Sequence, residues 1–271
     1  MSQLPTEIYG RIMEFTDGSR INLLNFIRCS WSALIEGERV LYRKVRIRNA
    51  QFGTLNGMLD GVIANPSRAR LIRDFFIETG YIEPDLASKL RLALQQMENL
   101  QSLTLIPLDF PFSTVFDPLT TTGTLEFPFK LIRFRYEGQK SLGLPSFFAS
   151  QPSIRHLHVK IYRLRDKLPL KTLPNLQSLK GPAALVIAFA TPARPIPRLS
   201  WSTLTSYSLT ETPNGPPNLS LLALKIHFQT PDTFNLSLIA PNLQYLELLF
   251  YKFVRMLLLT LYHYSIDSFP E

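Results

Sequence analysis

The sequence predicts an α/β fold, α+β overall: a short helical segment at the N-terminus, then an irregular solenoid of strands and helices. Three observations predict it. Leucine is in excess, with 46 in 271 residues. A three-position apolar strand pattern recurs along most of the chain. The first fifty residues follow a different, helical period.

The run from Leu4 to Phe15 reads as a helix. Pro5 suits the first turn, where its missing N–H costs nothing. Glu7 favours the positive helix end. Ile8, Ile12 and Phe15 recur at i, i+4 and i+7 and make one apolar stripe. Gly10 inside this helix costs about 1 kcal/mol against Ala. Asp17-Gly18-Ser19 breaks the chain, and Ser19 suits an N-cap. A second helix carries Ile21, Leu24 and Ile27. A third, short apolar segment holds Trp31, Leu34 and Ile35. Cys29 lies in this apolar stretch, and a free Cys there is expected as a small buried hydrophobe. From Leu41 to Ile47 the period turns to two, which predicts a strand with Val45 and Ile47 on one face.

Beyond residue 47 the template L-x-x-L-x-L describes a short strand with three inward apolar positions. It fits Ile72/Phe75/Ile77, Leu100/Leu103/Leu105, Leu131/Phe134/Tyr136 and Ile154/Leu157/Val159. It fits again at Leu204/Tyr207/Leu209, Leu219/Leu222/Leu224 and Leu243/Leu246/Leu248, and in part at Leu176/Leu179, where Gly181 takes the third place. Most intervals fall in the range of roughly 20–29 residues found in leucine-rich repeats. The interval from Leu204 to Leu219 is too short to hold a helix. Verbatim reuse supports the pattern: Asn-Leu-Gln-Ser-Leu occurs at 99–103 and 175–179, and Asn-Leu-Gln-Tyr-Leu at 242–246. Between strands, Glu83 to Met97 predicts a helix with Leu86, Leu90, Leu94 and Met97 on one face. The consensus Asn ladder of leucine-rich repeats is missing. The expected solenoid is therefore irregular, with each unit burying its face only against its neighbours. The domain division is 1–47 for the helical segment and 48–271 for the repeats.

The first segment resembles a known family. Leu4-Pro5-Thr6-Glu7-Ile8, then Ile12, Leu23-Leu24, Cys29-Ser30-Trp31, Leu34 and Leu41-Tyr42-Arg43 is similar to an F-box. Glu38 to Val45 resembles the segment that, in fungal F-box-like proteins, hands over to irregular leucine-rich repeats. Trp201 to Leu209 is similar to the repeat strands of those proteins. The resemblance implies a Skp-type adaptor as partner, and through it a cullin. It implies a substrate-recognition role in a Skp–cullin–F-box type ubiquitin ligase. The family's adaptor-binding positions carry over to Leu4, Pro5, Ile8, Ile12, Leu23, Leu24 and Trp31. The alternative is a stand-alone repeat scaffold whose N-terminal helices only cap the solenoid.

The net charge of +8 is uneven. Residues 1–50 carry +3, residues 51–150 carry −1 and residues 151–271 carry +6. Strand side chains alternate, so the residues flanking the fourth template position point outward. Stacking of the units is expected to line up Arg133, Arg135, His156, His158, Lys160 and Lys180 as a basic target-binding stripe. Such a stripe suits an acidic or phosphorylated peptide, because Arg forks match carboxylate and phosphate oxygens. Nucleic acid is disfavoured by the lack of interleaved aromatics and of any binding motif.

Catalytic signatures are absent. The sequence has no GxGxxG, no GxxxxGK[ST], no HExxH and no GxSxG. His156 and His158 lack further local ligands for a metal. The expectation is a non-enzymatic chain with no cofactor and no metal. A single cysteine excludes an internal disulfide framework. No stretch reaches the ~20 apolar residues that span a bilayer, and no signal-peptide h-region is present. The expected location is intracellular, cytoplasmic or nuclear. Met256 to Tyr264 carries no formal charge. Solenoid ends are polar on their outer face, so this segment is expected either as a fold-back cap or as the mark of truncation.

Overall fold

The structure is a computed structural model. It describes residues 8, 11–12, 20–48, 52–79, 84–107, 113–116, 127–138, 143–161, 172–181, 196–202, 223–228 and 245–250. Contacts divide the chain into two compact units, Met1–Ile154 and Arg155–Glu271.

The first unit opens with helices α1 (Arg20–Phe26) and α2 (Trp31–Arg43). Ser30 has extended backbone and caps α2, its Oγ accepting from Ala33 N at 3.1 Å. This satisfies one of the donors that a helix start leaves unpaired. Helix α2 runs without a loop into β1 (Lys44–Arg48). Residues 41–43, expected in the strand, are its last helical residues. The boundary placed after residue 47 thus falls inside β1, which pairs with β2.

Strands β1, β2 (Asp74–Thr79), β3 (Ser102–Pro107) and β4 (Arg133–Gly138) pair in sequence order, all parallel. Parallel neighbours need long crossovers, usually helical. Here α3 (Phe52–Ala64) and α4 (Pro66–Ala69) lie between β1 and β2, α5 (Pro84–Gln96) between β2 and β3, and α6 (Ser113–Phe116) between β3 and β4. Helix α7 (Leu144–Ser150) follows β4. The unit is α/β, with parallel strands alternating with helices.

The template triplets are the core. Ile72, Phe75, Ile77, Leu100, Leu103, Leu105, Leu131, Phe134 and Tyr136 are all buried. Leu86, Leu90 and Leu94 are buried along one side of α5, as their spacing predicts, and Met97, expected in the helix, is buried just past its end. Rings from α6 and α7 cover β4: Phe116 meets Phe134 and Tyr136 edge-on, and Phe147 lies 5.1 Å from Phe134 between centroids. Each such pair adds about 0.5–1.5 kcal/mol beyond its area.

Strand starts are tied by a recurring device. The carbonyl of Arg73 accepts from both Gln101 N and Ser102 N, and that of Gln101 from both Ile132 N and Arg133 N. Side chains supply further links. Asn99 Nδ2 donates to Arg70 O at 2.8 Å, and Ser153 Oγ to Leu131 O at 2.9 Å. The Gln151 side chain, itself buried, donates to Phe129 O and accepts from Leu131 N. These residues satisfy backbone groups that burial would otherwise leave orphaned.

The second unit contains β5 (His156–Ile161), β6 (Ser178–Gly181), β7 (Arg198–Ser202), β8 (Ala223–Phe228) and β9 (Tyr245–Phe250), again parallel and paired in sequence order. Leu157, Val159, Leu176 and Leu179 are buried as expected. The double bond recurs, with Gln177 N and Ser178 N both donating to Arg155 O.

Two expectations change here. Strand β7 belongs to Ile196/Leu199/Trp201, a triplet not among those expected; Ile196 and Leu199 are buried. The expected triplet Leu204/Tyr207/Leu209 lies outside the described residues. Next, Leu224 pairs with Leu199 and Leu246, and Ile226 with Trp201 and Leu248. Leu224 therefore takes the second inward position with Ile226 after it, where the expected register 219/222/224 had Leu224 third. The charge-free segment 256–264 lies outside the described residues.

Candidate functional site

The helices ahead of β1 have a thin core. Only Ala33 and Gly37 of α2 are buried, with Phe26, Ile27, Val40 and Leu41 packed partly around Ala33. Six large apolar side chains are exposed among the described residues: Ile8, Ile21, Leu24, Trp31, Ile35 and Leu92. Five of the six precede β1. Trp31 is 74% exposed and Ile35 52%, and their i, i+4 spacing puts them on one face of α2. Ile21 is 71% exposed and Leu24 40%, three apart on α1.

Of the seven adaptor-binding candidates, Ile8, Leu24 and Trp31 are exposed and Ile12 is half-buried. Leu23 lies in α1. Leu4 and Pro5 lie outside the described residues. Ile21 and Ile35, read in the sequence only as parts of helical apolar patterns, belong to the exposed set. Cys29 is exposed as well, where a buried hydrophobe was expected; its Sγ lies 3.5 Å from Asn25 O, at the end of α1. The chain turns there between two helices.

The segment is fastened to the sheet by more than β1. Arg68 of α4 reaches Glu38 of α2 through Nε at 3.2 Å and a terminal nitrogen at 2.7 Å. Its guanidinium also lies 5.5 Å from the centre of the Tyr42 ring. The Glu38 hydrogen bond, then the charge interactions with Tyr42 and Glu38, raise the pKa of Arg68 above its ordinary value.

The outward strand faces carry the basic candidates. In the first unit Arg133 is exposed, while Arg135 is partly buried and paired with Glu137 two residues on, its Nε donating at 2.8 Å. Farther along the same face, on β1 and β2, Arg46 faces Asp74 at 4.0 Å and Arg48 lies over the Phe76 ring. This face mixes both signs of charge with an aromatic ring, and is no purely basic stripe. In the second unit His156 is in register with Ser178, and His158 with Lys180. All four, and Lys160, are half-buried. Arg198, exposed and in register with Ser178, is a further basic residue here that the expected stripe does not include. Its signal was the overlooked triplet Ile196/Leu199/Trp201.

Among the described residues no group of His, Cys, Asp and Glu could hold a metal ion. No described helix is long and apolar enough to cross a membrane. No family model matches the chain, and no curated protein matches it.

Proposed function

We propose that this chain is a non-enzymatic interaction adaptor, the substrate-recognition subunit of a Skp–cullin–F-box type ubiquitin ligase. The N-terminal helices dock on a Skp-type adaptor. The rest of the chain, an irregular leucine-rich-repeat solenoid, holds a protein target. The observation that carries this reading is the exposure of Ile8, Ile21, Leu24, Trp31 and Ile35 ahead of β1, while the triplets after it are buried. Large exposed apolar groups clustered on one segment mark an interaction site, and apolar helix faces commonly dock in partner grooves. Arg133 and Arg135 on β4, and His156, His158, Lys160 and Lys180 in the second unit, are the candidate target contacts, suited to an acidic or phosphorylated segment.

A second reading has its own observation. Helix α2 runs straight into β1, and the Arg68–Glu38 pair pins it to α4. That is how a capping segment would be built, and a stand-alone scaffold would need no more. Co-purification separates the two. The intact chain should form a stable complex with a Skp-type adaptor. Trp31→Ala should weaken it by about 2 kcal/mol or more, since buried Trp anchors dominate interfaces. Leu4→Ala with Pro5→Ala should weaken it too. A folded chain that binds no adaptor leaves only the capping scaffold.

A further inference from the structure

Strand β1 ends the sheet. Among the described residues it pairs with β2 on one side and with no strand on the other. The pairing shows which backbone groups lie open. The carbonyl of Arg43, the residue before β1, faces β2 and accepts from Arg73 N at 3.0 Å. Along a strand these groups turn to alternate sides. Those of Val45 and Ile47 therefore serve β2, and those of Lys44, Arg46 and Arg48 face the open edge. A row of unpaired N–H and C=O groups is a template for a further strand.

The side chains of β1 are incompletely covered as well. Val45 and Ile47 are half-buried, whereas Phe75 and Ile77, opposite them on β2, are fully buried. On the other face Lys44, Arg46 and Arg48 are exposed, three cations on alternate residues. Carboxylates meet them from the β2 side: Asp74 is in register with Lys44 and 4.0 Å from Arg46, and Glu78 is in register with Arg48, whose guanidinium lies over the Phe76 ring. A second copy of β1 pairing here would set cations against cations, and like charges directly opposite are destabilising. An acidic strand would set carboxylates against the guanidinium forks, a charge-assisted match.

We propose that β1 binds an extended acidic segment of a partner protein as an added strand, with acidic and apolar residues alternating along it. Its main chain bonds to that of Lys44, Arg46 and Arg48. Its carboxylates reach the side chains of the same three residues, and its apolar residues cover Val45 and Ile47. In strand addition the main-chain bonds supply affinity and the alternate side chains supply specificity. The site is separate from the β4 arginines and does not rest on the adaptor reading.

The experiment follows the fluorescence anisotropy of a short labelled peptide of alternating glutamate and valine, added to the full-length chain at constant ionic strength. Saturable binding is expected, at least tenfold tighter than that of the matching lysine–valine peptide. N-methylation of one alternate set of its backbone nitrogens should abolish binding, and methylation of the other set should leave it. Arg46→Glu should weaken binding at least tenfold. Lys130→Glu makes the same charge change at an exposed residue ahead of β4 and should leave binding as it is. Thermal midpoints of both variants check that the sheet is intact, and the methylated peptides test the wild-type chain whatever Arg46→Glu does to folding. Absence of saturable binding overturns the proposal. So do two methylated peptides that both bind as the parent does, or equal losses in the two variants. Dimerisation of the chain that Arg46→Pro blocks and the peptide does not would put a second copy on this edge, and would overturn it too.

Discussion

Helices α2 and α5 each have 13 residues and each carry apolar residues at helical spacing. They use them in opposite ways. Helix α5 hides its large side chains, Leu86, Leu90 and Leu94, and leaves Leu92 outside. Helix α2 hides its small ones, Ala33 and Gly37, and shows Trp31 and Ile35. Burying small residues brings α2 close to its neighbours but removes little apolar area from water. The area that would stabilise the segment, at about 25 cal/mol per Å², is left available to something else. Periodicity thus names an apolar face, and says nothing of whether the chain itself covers it.

Truncation at matched positions would break that contrast most sharply. Leu90→Ala should destabilise the first unit by about 2–5 kcal/mol, the usual cost of a cavity in a packed core. Trp31→Ala should stay within about 0.5 kcal/mol, as surface substitutions do. Denaturant midpoints of both variants check this. Similar losses at the two sites would mean that Trp31 packs inside the unit in solution, and the docking-face reading would fall.

How much of this was legible beforehand varies by region. The triplets from Ile72 to Val159 were legible because they recur at repeat spacing, and the verbatim Asn-Leu-Gln-Ser-Leu at 99–103 and 175–179 anchors the register at Leu100. From Leu219 to Phe228 the run Leu-Ser-Leu-Leu-Ala-Leu-Lys-Ile-His-Phe satisfies the template in two registers. Only the pairing of Leu199 with Leu224 settles which one holds. The β7 triplet was hidden by Trp201 in a leucine position. The exposure of Ile21 and Ile35 was not readable at all, since spacing on a helix is the same for a core face and a docking face. The missing Asn ladder was legible. The side chains that tie the strand starts were not legible: no pattern marks Asn99, Gln151 or Ser153 for that role.

Gln151 offers a test of intermediate size. Its amide serves Phe129 O and Leu131 N in a buried setting. Gln151→Leu keeps the bulk but leaves both backbone groups unpaired, which costs about 1–3 kcal/mol. Hydrogen exchange at Leu131 should accelerate with the loss. Unchanged stability would show that water reaches these groups, making the entry to β4 more like the thinly packed α2 region than like the core.

The smallest expected effect sharpens the comparison from the other side. Helix α3 also turns a face to solvent, and that face carries Gly53, Gly57 and Gly61, all exposed. A Cβ built on any of them meets nothing within 4 Å. None of the three is therefore needed for a close approach, and each costs the helix about 0.8–1 kcal/mol against alanine. Gly57→Ala should raise stability by up to that amount, chiefly by restricting the unfolded chain, and should leave adaptor binding untouched. Thermal unfolding with a parallel adaptor titration checks both. The bare face of α3 then stands against the apolar face of α2 as the part of the helical surface not built for a partner. If Gly57→Ala instead weakens adaptor binding, a partner backbone approaches α3 closely, and the docking surface extends past β1 onto the first crossover.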